Sequence, residues 1–318
     1  MSCNIPNIPF VKGHMGGNEI ILLNRADLPR ESELASGLTL LSSPHIGGDQ
    51  LGLLSDVEGG KGIEVKIVDI NSRDYLPVCG GLTQVFGRAY AEFDLGELLG
   101  LGLEPGWERV DLAMTAGEFP VLVDRRDNGS KVVSVMDSFL DTVYEAGVEV
   151  GELAGVRCYR IGHFLVTFLA EVKKEYPEAS FDPIDRTTAE LLIGLQERFP
   201  VVFDATEVNR DFAVVGRSRG SEKDGQLIFP HNLSEGLVEQ TCGSGTVAAV
   251  VAMVEEGIIS GTGTLNLEFA AGGEEKSIGG PETTFVKLVL GDRGVEEISF
   301  SHGLVEILAR GHLALPEG

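Results

Sequence analysis

Val78-Cys79-Gly80-Gly81-Leu82-Thr83 and Thr241-Cys242-Gly243-Ser244-Gly245-Thr246 are two stretches that echo each other, and the reading of the whole chain turns on them. Each sets a cysteine after an apolar, strand-like run and before a run with helical spacing. Beyond Cys79, residues Val85, Phe86, Ala89, Tyr90 and Phe93 recur with the period of a helix; beyond Cys242 the chain is apolar almost to Glu255. Glycines at this point allow a tight turn and leave the first N–H groups of the helix bare. A thiol there feels the positive end of the helix dipole, which favours thiolate, and the bare N–H groups can hold a carboxylate. The two cysteines stand about half a chain apart, one per half. A reaction that needs one acid/base group on each face of its substrate would use two such half-sites.

Outward from these turns, the order strand, helix, strands, cysteine, helix occurs twice. Residues 10–23 read as a strand, a glycine turn at Gly16-Gly17 and a buried strand; Arg30 to Leu41 carries leucines at helical spacing; Asp49–Leu54 and Ile63–Asp69 are strands leading through a turn to Cys79. Glu108–Ala113 and Phe119–Asp124 continue as strands, and Asp127-Asn128-Gly129-Ser130 reads as a hairpin turn. In the second cycle Val156–Ile161 and Phe164–Leu169 flank Gly162-His163, Thr187–Phe199 reads as a helix, and Phe212–Val215, Gln226–Phe229, Thr264–Ala270 and Thr284–Leu290 are strands. The crossing between halves falls within Tyr144–Gly155, so the expected domains are 1–150, carrying Cys79, and 151–318, carrying Cys242, with the last residues a candidate to return to the first domain.

Composition narrows the function. The 318 residues carry a net charge of −24, which argues against nucleic acid or an anionic membrane as partner. The longest apolar runs are too short to span a membrane, and the N-terminus has no basic region followed by an apolar core, so the expectation is a cytoplasmic enzyme. Four cysteines (Cys3, Cys79, Cys158, Cys242) make no disulfide framework in a chain this long, and no CxxC or Cys/His spacing points to zinc or another metal. Cys3 and Cys158 read as small buried hydrophobes.

In order along nearly the whole chain, the residues resemble the diaminopimelate epimerase-like superfamily, which includes the cofactor-independent amino-acid racemases and epimerases. Gly16-Gly17-Asn18 is similar to the family's opening turn, whose asparagine touches substrate, and Asp49-Gln50-Leu51 to its following glutamine segment. Asn71 resembles the asparagine preceding the first catalytic cysteine, with the spacing one residue short. Gly162-His163-Phe164 falls where the family has a Gly-Asn-Pro-His turn; Arg198-Phe199-Pro200 and Thr206-Glu207-Val208-Asn209 resemble its Arg-Phe-Pro and Thr-Asn-Val stretches; Ser234-Glu235-Gly236 falls near its Glu-Arg-Gly; and Cys242-Gly243-Ser244-Gly245 matches its Cys-Gly-Thr-Gly. The tail from Ser301 to Val305 resembles its final strand and turn. The resemblance implies an α+β fold of two similar pseudo-symmetric domains, each a mostly antiparallel, barrel-like sheet wrapped around a central helix.

The departures bear on substrate. Cys79-Gly80-Gly81-Leu82 lacks the asparagine of Cys-Gly-Asn-Gly, Glu235 stands near the arginine that pairs a distal carboxylate, and His163 and Glu207 replace asparagines. Trading Arg and Asn for Glu, Glu and His repels a distal carboxylate and suits a cationic or neutral side chain; a solvated loop carboxylate is the competing reading of Glu207 and Glu235. The implied chemistry uses no cofactor. Cys79 and Cys242 form a thiolate/thiol pair, one removing the α-proton and the other returning one on the opposite face. The N–H groups of Gly80, Gly81, Gly243, Ser244, Gly245 and Thr246 lie at the carboxylate, and Asn18, Gln50 and Asn71 are neutral substrate contacts. The small-molecule substrate is an amino acid or carboxylate, and the reading admits a homodimer. Three alternatives stay open: a cis–trans or double-bond isomerase of a methylaconitate-type polycarboxylate, with Lys61 and Lys66 as candidate bases or plain surface residues; diaminopimelate epimerase itself; and a binding protein that kept the fold.

Overall fold

The computed structural model describes residues 7–43, 45–58, 62–125, 131–179, 186–196, 198, 211–216, 225–229, 241–269 and 283–314. In chain order, alternating and fully apolar runs form β1 (Asn7–Met15) and β2 (Asn18–Asn24), followed by α1 (Glu33–Leu41), β3 (Gln50–Asp56), β4 (Gly62–Asp69) and the short β5 (Asp74–Leu76). Next come α2 (Gly80–Glu92), α3 (Leu95–Leu99), β6 (Arg109–Met114), β7 (Gly117–Asp124) and β8 (Lys131–Val135). The second half runs α4 (Asp137–Ala146), β9 (Val148–Leu153), β10 (Val156–Ile161), β11 (Phe164–Phe168), α5 (Leu169–Glu175), α6 (Arg186–Gln196), β12 (Asp211–Gly216) and β13 (Gly225–Ile228). It closes with α7 (Gly243–Glu255), β14 (Gly263–Phe269), β15 (Thr283–Gly291), β16 (Gly294–His302) and β17 (Val305–Ala314).

The chain divides into two compact units, residues 1–135 with 304–318, and residues 136–303. The division lies ahead of the expected 150/151 boundary because α4 belongs to the second unit: it packs on β16 and α7, and its Asp137 accepts the Ile298 N–H at 2.8 Å. In the first unit the sheet runs β17-β1-β2-β3-β4-β6-β7-β8, with β5 beside the C-terminal part of β4. Its pairings are antiparallel except β2–β3 and β4–β6, which are parallel. In the second unit the sheet runs β9-β10-β11-β12-β13-β14-β15-β16, antiparallel except β11–β12 and β13–β14. Strand for strand the two sheets share one pattern of pairing sense. Each parallel step needs a crossover, and the helices fill them: α1 with α5 and α6 at the first step, α2 and α7 at the second.

β2, β3, β11 and β12 are buried on both faces and read as near-continuous apolar runs, whereas β4, β7 and β15 alternate buried and exposed residues. On one face of the first unit, Ile21, Leu23, Leu51, Leu53 and Val68 pack with Leu40 and Leu41 of α1. On the corresponding face of the second, Val156, Leu165, Phe212 and Val214 pack with Val172 of α5 and Leu192 and Leu195 of α6, and Cys158 is buried among them. Burial and the Glu152 charge push the Cys158 thiol up to about 12. The opposite face wraps α2, which touches β1, β2, β7, β8 and β17, both edges included, and α7, which touches β10, β11, β12 and β16. The mixed α+β class and the sheet-wrapped central helices are as the sequence leads one to expect.

A buried carboxylate anchors α1 to the first sheet. Glu33, 5% exposed, accepts from Arg25 Nε at 2.5 Å, Lys66 Nζ at 3.3 Å and the Tyr75 hydroxyl at 2.8 Å. Burial drives the Glu33 carboxyl up, but the hydrogen bonds from Arg25, Tyr75 and Lys66 outweigh it and hold it below its ordinary value. Burial and the bond to Glu33 raise Tyr75 to about 12. Lys66 is therefore engaged in this network, and Lys61 lies outside the described residues.

Packing and charge each give a prediction. A Cβ at Gly87 of α2 would sit 2.4 Å from Val132 Cγ1 and 2.7 Å from Val121 Cγ1, whereas one at Gly194 of α6 meets nothing within 4 Å. Gly87→Ala is expected to cost about 1–3 kcal/mol through overpacking, while Gly194→Ala gains about 0.5–1 kcal/mol; urea unfolding reads both. Because Glu33 is depressed in the folded state, its contribution is present above the unfolded carboxylate range and lost as pH falls through the folded value. Glu33→Gln should cost about 1–2 kcal/mol at neutral pH, and the difference should close on acidification; equal gaps at pH 7 and pH 3 would refute the network's charge.

Candidate active site

Both cysteines cap their helices, and they do so alike. Cys79 has φ −144°, ψ 112°, and its Sγ accepts the Leu82 N–H at 3.3 Å; Cys242 has φ −146°, ψ 115°, and its Sγ accepts the Gly245 N–H at 3.3 Å. In each case α2 or α7 starts on the next residue and runs 13 residues. The extended cap residue turns its sulfur back over the first turn, as a serine or aspartate N-cap does with oxygen. The cap carbonyls close the first turns, Cys79 O accepting from Thr83 N at 3.4 Å and Cys242 O from Thr246 N at 2.9 Å. Since Gly245 N–H and Thr246 N–H are spent inside the cap, the α7 donors with no acceptor within the helix are those of Gly243 and Ser244; Gly80 and Gly81 hold the same two positions in α2. Ser244 also brings its hydroxyl 3.6 Å from Cys242 Sγ.

Around Cys79 the first unit builds a polar end to its sheet. Register sets Ile20 beside Gln50 and Gln50 beside Asp69, so the starts of β2 and β3 and the end of β4 lie side by side. Asp49 stitches them: it accepts the Glu19 N–H at 2.7 Å, donates its own N–H to Glu19 O at 2.9 Å and accepts from Ile70 N at 3.0 Å. Gln50, 9% exposed, accepts the Cys79 thiol on Oε1 at 3.1 Å and donates from Nε2 to Asp69 Oδ1 at 3.3 Å. Asn18 opens β2 after the Gly16-Gly17 turn, where both glycines have positive φ (55° and 94°) and the Gly17 N–H donates to His14 Nδ1 at 3.1 Å. Asn71 sits two residues past Asp69 and is exposed.

The start of α2 is further pinned by a directional chain of buried groups. Gln84 Nε2 donates to Ser134 Oγ at 2.7 Å, Ser134 lies 2.6 Å from Thr83 Oγ1, and Thr83 donates to Gly80 O at 2.7 Å. Thr246 plays the matching part in α7, donating to Cys242 O at 2.7 Å. Sequence reasoning missed Asp69, Gln84 and Ser134. Only Asp69 left a trace there, as the polar end of an alternating strand.

Among the described residues, aromatic rings border the first turn of α7. A Cβ at Gly245 would lie 2.5 Å from Phe229 Cε1 and 3.1 Å from both Phe164 Cε1 and Cys242 Sγ, so only glycine admits the two rings at this turn. His163 follows Gly162 (φ 60°) in the β10–β11 turn, half-buried, with its ring 4.5 Å from Phe164 and 5.7 Å from Phe139. It thus reaches the first turn of α7 through Phe164. Glu207 and Glu235 lie outside the described residues, as do Cys3 and the 127–130 turn. No helix among the described residues is long and apolar enough to cross a membrane.

No protein-family model and no curated protein sequence matches the chain. Solved structures do match over almost its full length. A hydroxyproline epimerase from Agrobacterium vitis, with trans-4-hydroxy-L-proline bound, superposes with a TM-score of 0.64 at 11% identity, covering 98% of this chain and 92% of that one. A probable proline racemase from Agrobacterium radiobacter K84, with bound carbonate, gives 0.63 at 12% identity, with 97% and 93% covered. A methylitaconate-delta-isomerase gives 0.57 at 14% identity, with 97% and 95% covered. These neighbours belong to the diaminopimelate epimerase-like superfamily, and the chain shares their fold.

The shared cap geometry predicts a graded response to substitution. Serine is a strong N-cap, so Cys79→Ser and Cys242→Ser should keep stability within about 0.5 kcal/mol, whereas Cys79→Ala and Cys242→Ala lose about 1 kcal/mol each. Urea midpoints of the four variants check this; equal losses for Ser and Ala would mean the sulfurs are not caps.

Proposed function

We propose that this chain, built on the diaminopimelate epimerase-like fold, is a cofactor-independent isomerase that inverts the α-carbon of an amino acid with Cys79 and Cys242 as its acid/base pair. The observation that carries the reading is the near-identity of the two caps: the same φ/ψ, the same 3.3 Å bond from a first-turn N–H to sulfur, and a helix start on the next residue. The fold match to structures described as a hydroxyproline epimerase and a probable proline racemase supports it.

An α-proton is weakly acidic, so its removal needs both a competent base and help for the charge that develops. The helix N-termini supply both. Their partial positive charge favours thiolate over thiol at the cap, and the N–H groups of Gly80, Gly81, Gly243 and Ser244 are donors for the substrate carboxylate as it gains enolate character. One cysteine, as thiolate, takes the α-proton; the other, as thiol, delivers a proton to the opposite face of the carbanion. One proton is taken and one is given, and the pair ends with its roles exchanged. Asn18 and Gln50 stand at the same sheet end as Cys79 and serve as neutral contacts, with Asn71 beyond Asp69 a further one. His163, with Glu207 and Glu235, selects a cationic or neutral side chain, as the exchange of Arg and Asn for Glu, Glu and His supports.

The test is α-proton exchange in D2O, with reductant, over L- and D-amino acids, diaminopimelate isomers and unsaturated polycarboxylates. Exchange with inversion of one basic or neutral amino acid is the expected result, and Cys79→Ser and Cys242→Ser should each lower turnover by about 100-fold or more. Exchange into diaminopimelate would overturn the side-chain assignment. Turnover confined to the polycarboxylates would replace the racemase by a double-bond isomerase. Undiminished turnover in either serine variant would sink the two-thiol mechanism.

A further inference from the structure

The hydrogen-bonded chain Asp69–Gln50–Cys79 has a built-in direction. Asp69 is buried, 5% exposed, and is held from below by the Ser72 N–H, which donates to Oδ2 at 2.7 Å. Its Oδ1 faces the Gln50 carboxamide at 3.3 Å. A carboxylate only accepts, so the end of the carboxamide that faces Asp69 must be the NH2. The carboxamide oxygen is then the end presented to Cys79, at 3.1 Å from Sγ. An acceptor at that distance is satisfied by a thiol S–H and repelled by a thiolate. Were the carboxamide turned over, its NH2 would donate to sulfur and favour the thiolate instead.

The sulfur of Cys79 is thus addressed by groups that pull in opposite directions: the Leu82 N–H of the cap, which favours thiolate, and the Gln50 oxygen, which favours thiol. Strand register holds Gln50 beside the carboxylate that orients it. Gln50 and Asp69 are paired residues of β3 and β4, and Ser72 locks the Asp69 carboxylate from the turn beyond. We propose that Asp69 is a positioning residue which, by fixing the orientation of the Gln50 carboxamide, keeps Cys79 protonated, so that Cys79 is the proton donor of the resting pair and the other cysteine takes the first proton. This rests on the two-thiol reading above. It moves Gln50 from substrate contact alone to a group that also sets the state of the first cysteine.

The experiment reads Cys79 directly and needs no substrate, so its outcome is separate from that of the exchange panel. The full chain is alkylated with iodoacetamide at pH 7, and the rate at Cys79 is followed by mass spectrometry of its peptide. Asp69→Asn frees the carboxamide to turn over, and labelling of Cys79 should speed up about tenfold, as a one-unit fall in thiol pKa would produce. Gln50→Met, which removes the acceptor at similar size, should also speed it up. In the Gln50→Met background, Asp69→Asn should add nothing, because Asp69 acts through Gln50. An unchanged rate in Asp69→Asn overturns the proposal. So does an acceleration that persists in the Gln50→Met background, which would assign the effect to the Asp69 charge or to loosening. Cys158 and Trp107 serve as controls, since a buried thiol labels and the single tryptophan shifts its emission when the fold opens. If Asp69→Asn fails those controls, Gln50→Met decides alone, and an unchanged Cys79 rate in that variant overturns the proposal.

Discussion

A helix whose first turn hydrogen-bonds to a sulfur sets the terms for everything around it. The cap residue must be extended while the next residue is already helical, so the backbone turns from extended to helical across a single residue. Glycine comes at once in both cases, and the first two N–H groups of each helix have no acceptor within it. The surroundings then serve to hold that corner still. In the first unit this is done by Asp49 across three strand ends and by the Gln84–Ser134–Thr83–Gly80 chain; in the second it is done by Phe164 and Phe229 closing on Gly245.

The two units solve one geometric problem with different materials. Their strand pairings take the same sequence of senses, and their central helices have the same length, yet one cap is bordered by a carboxamide and a carboxylate and the other by aromatic rings. The backbone supplies the symmetry, and the side chains on β3, β4 and the β10–β11 turn take it away.

Much of this is legible from residue order. The glycine-flanked cysteines mark both helix starts, alternation marks β4, and uniform apolar runs mark β2 and β3, because buried sheets and capped helices leave local signatures. What is not legible is non-local. Helix α4 carries its apolar residues Phe139, Leu140 and Val143 on one side, but nothing local says on which unit it packs, so the crossing between halves is set too late by sequence alone. Helix α5 is only seven residues long. The role of Asp69 depends on which residue lies beside it in β3, and strand register cannot be read from either strand alone. Gly87 is likewise an ordinary helix glycine until the valines of β7 and β8 come up against it.

One pairing also has a bearing on synthesis. The strands of the second unit lie together in the chain, so its sheet holds every strand it needs once residue 302 has been made. The first unit is different, because β1 pairs along its length with β17, from Asn7 with Ala314 to Met15 with Val305. Its edge at β1 stays open until β17 emerges, after the other unit's strands are all available. The unit encoded first is therefore the one completed last, and in the interval β1 presents an unpaired, largely apolar edge of the kind that invites foreign strands.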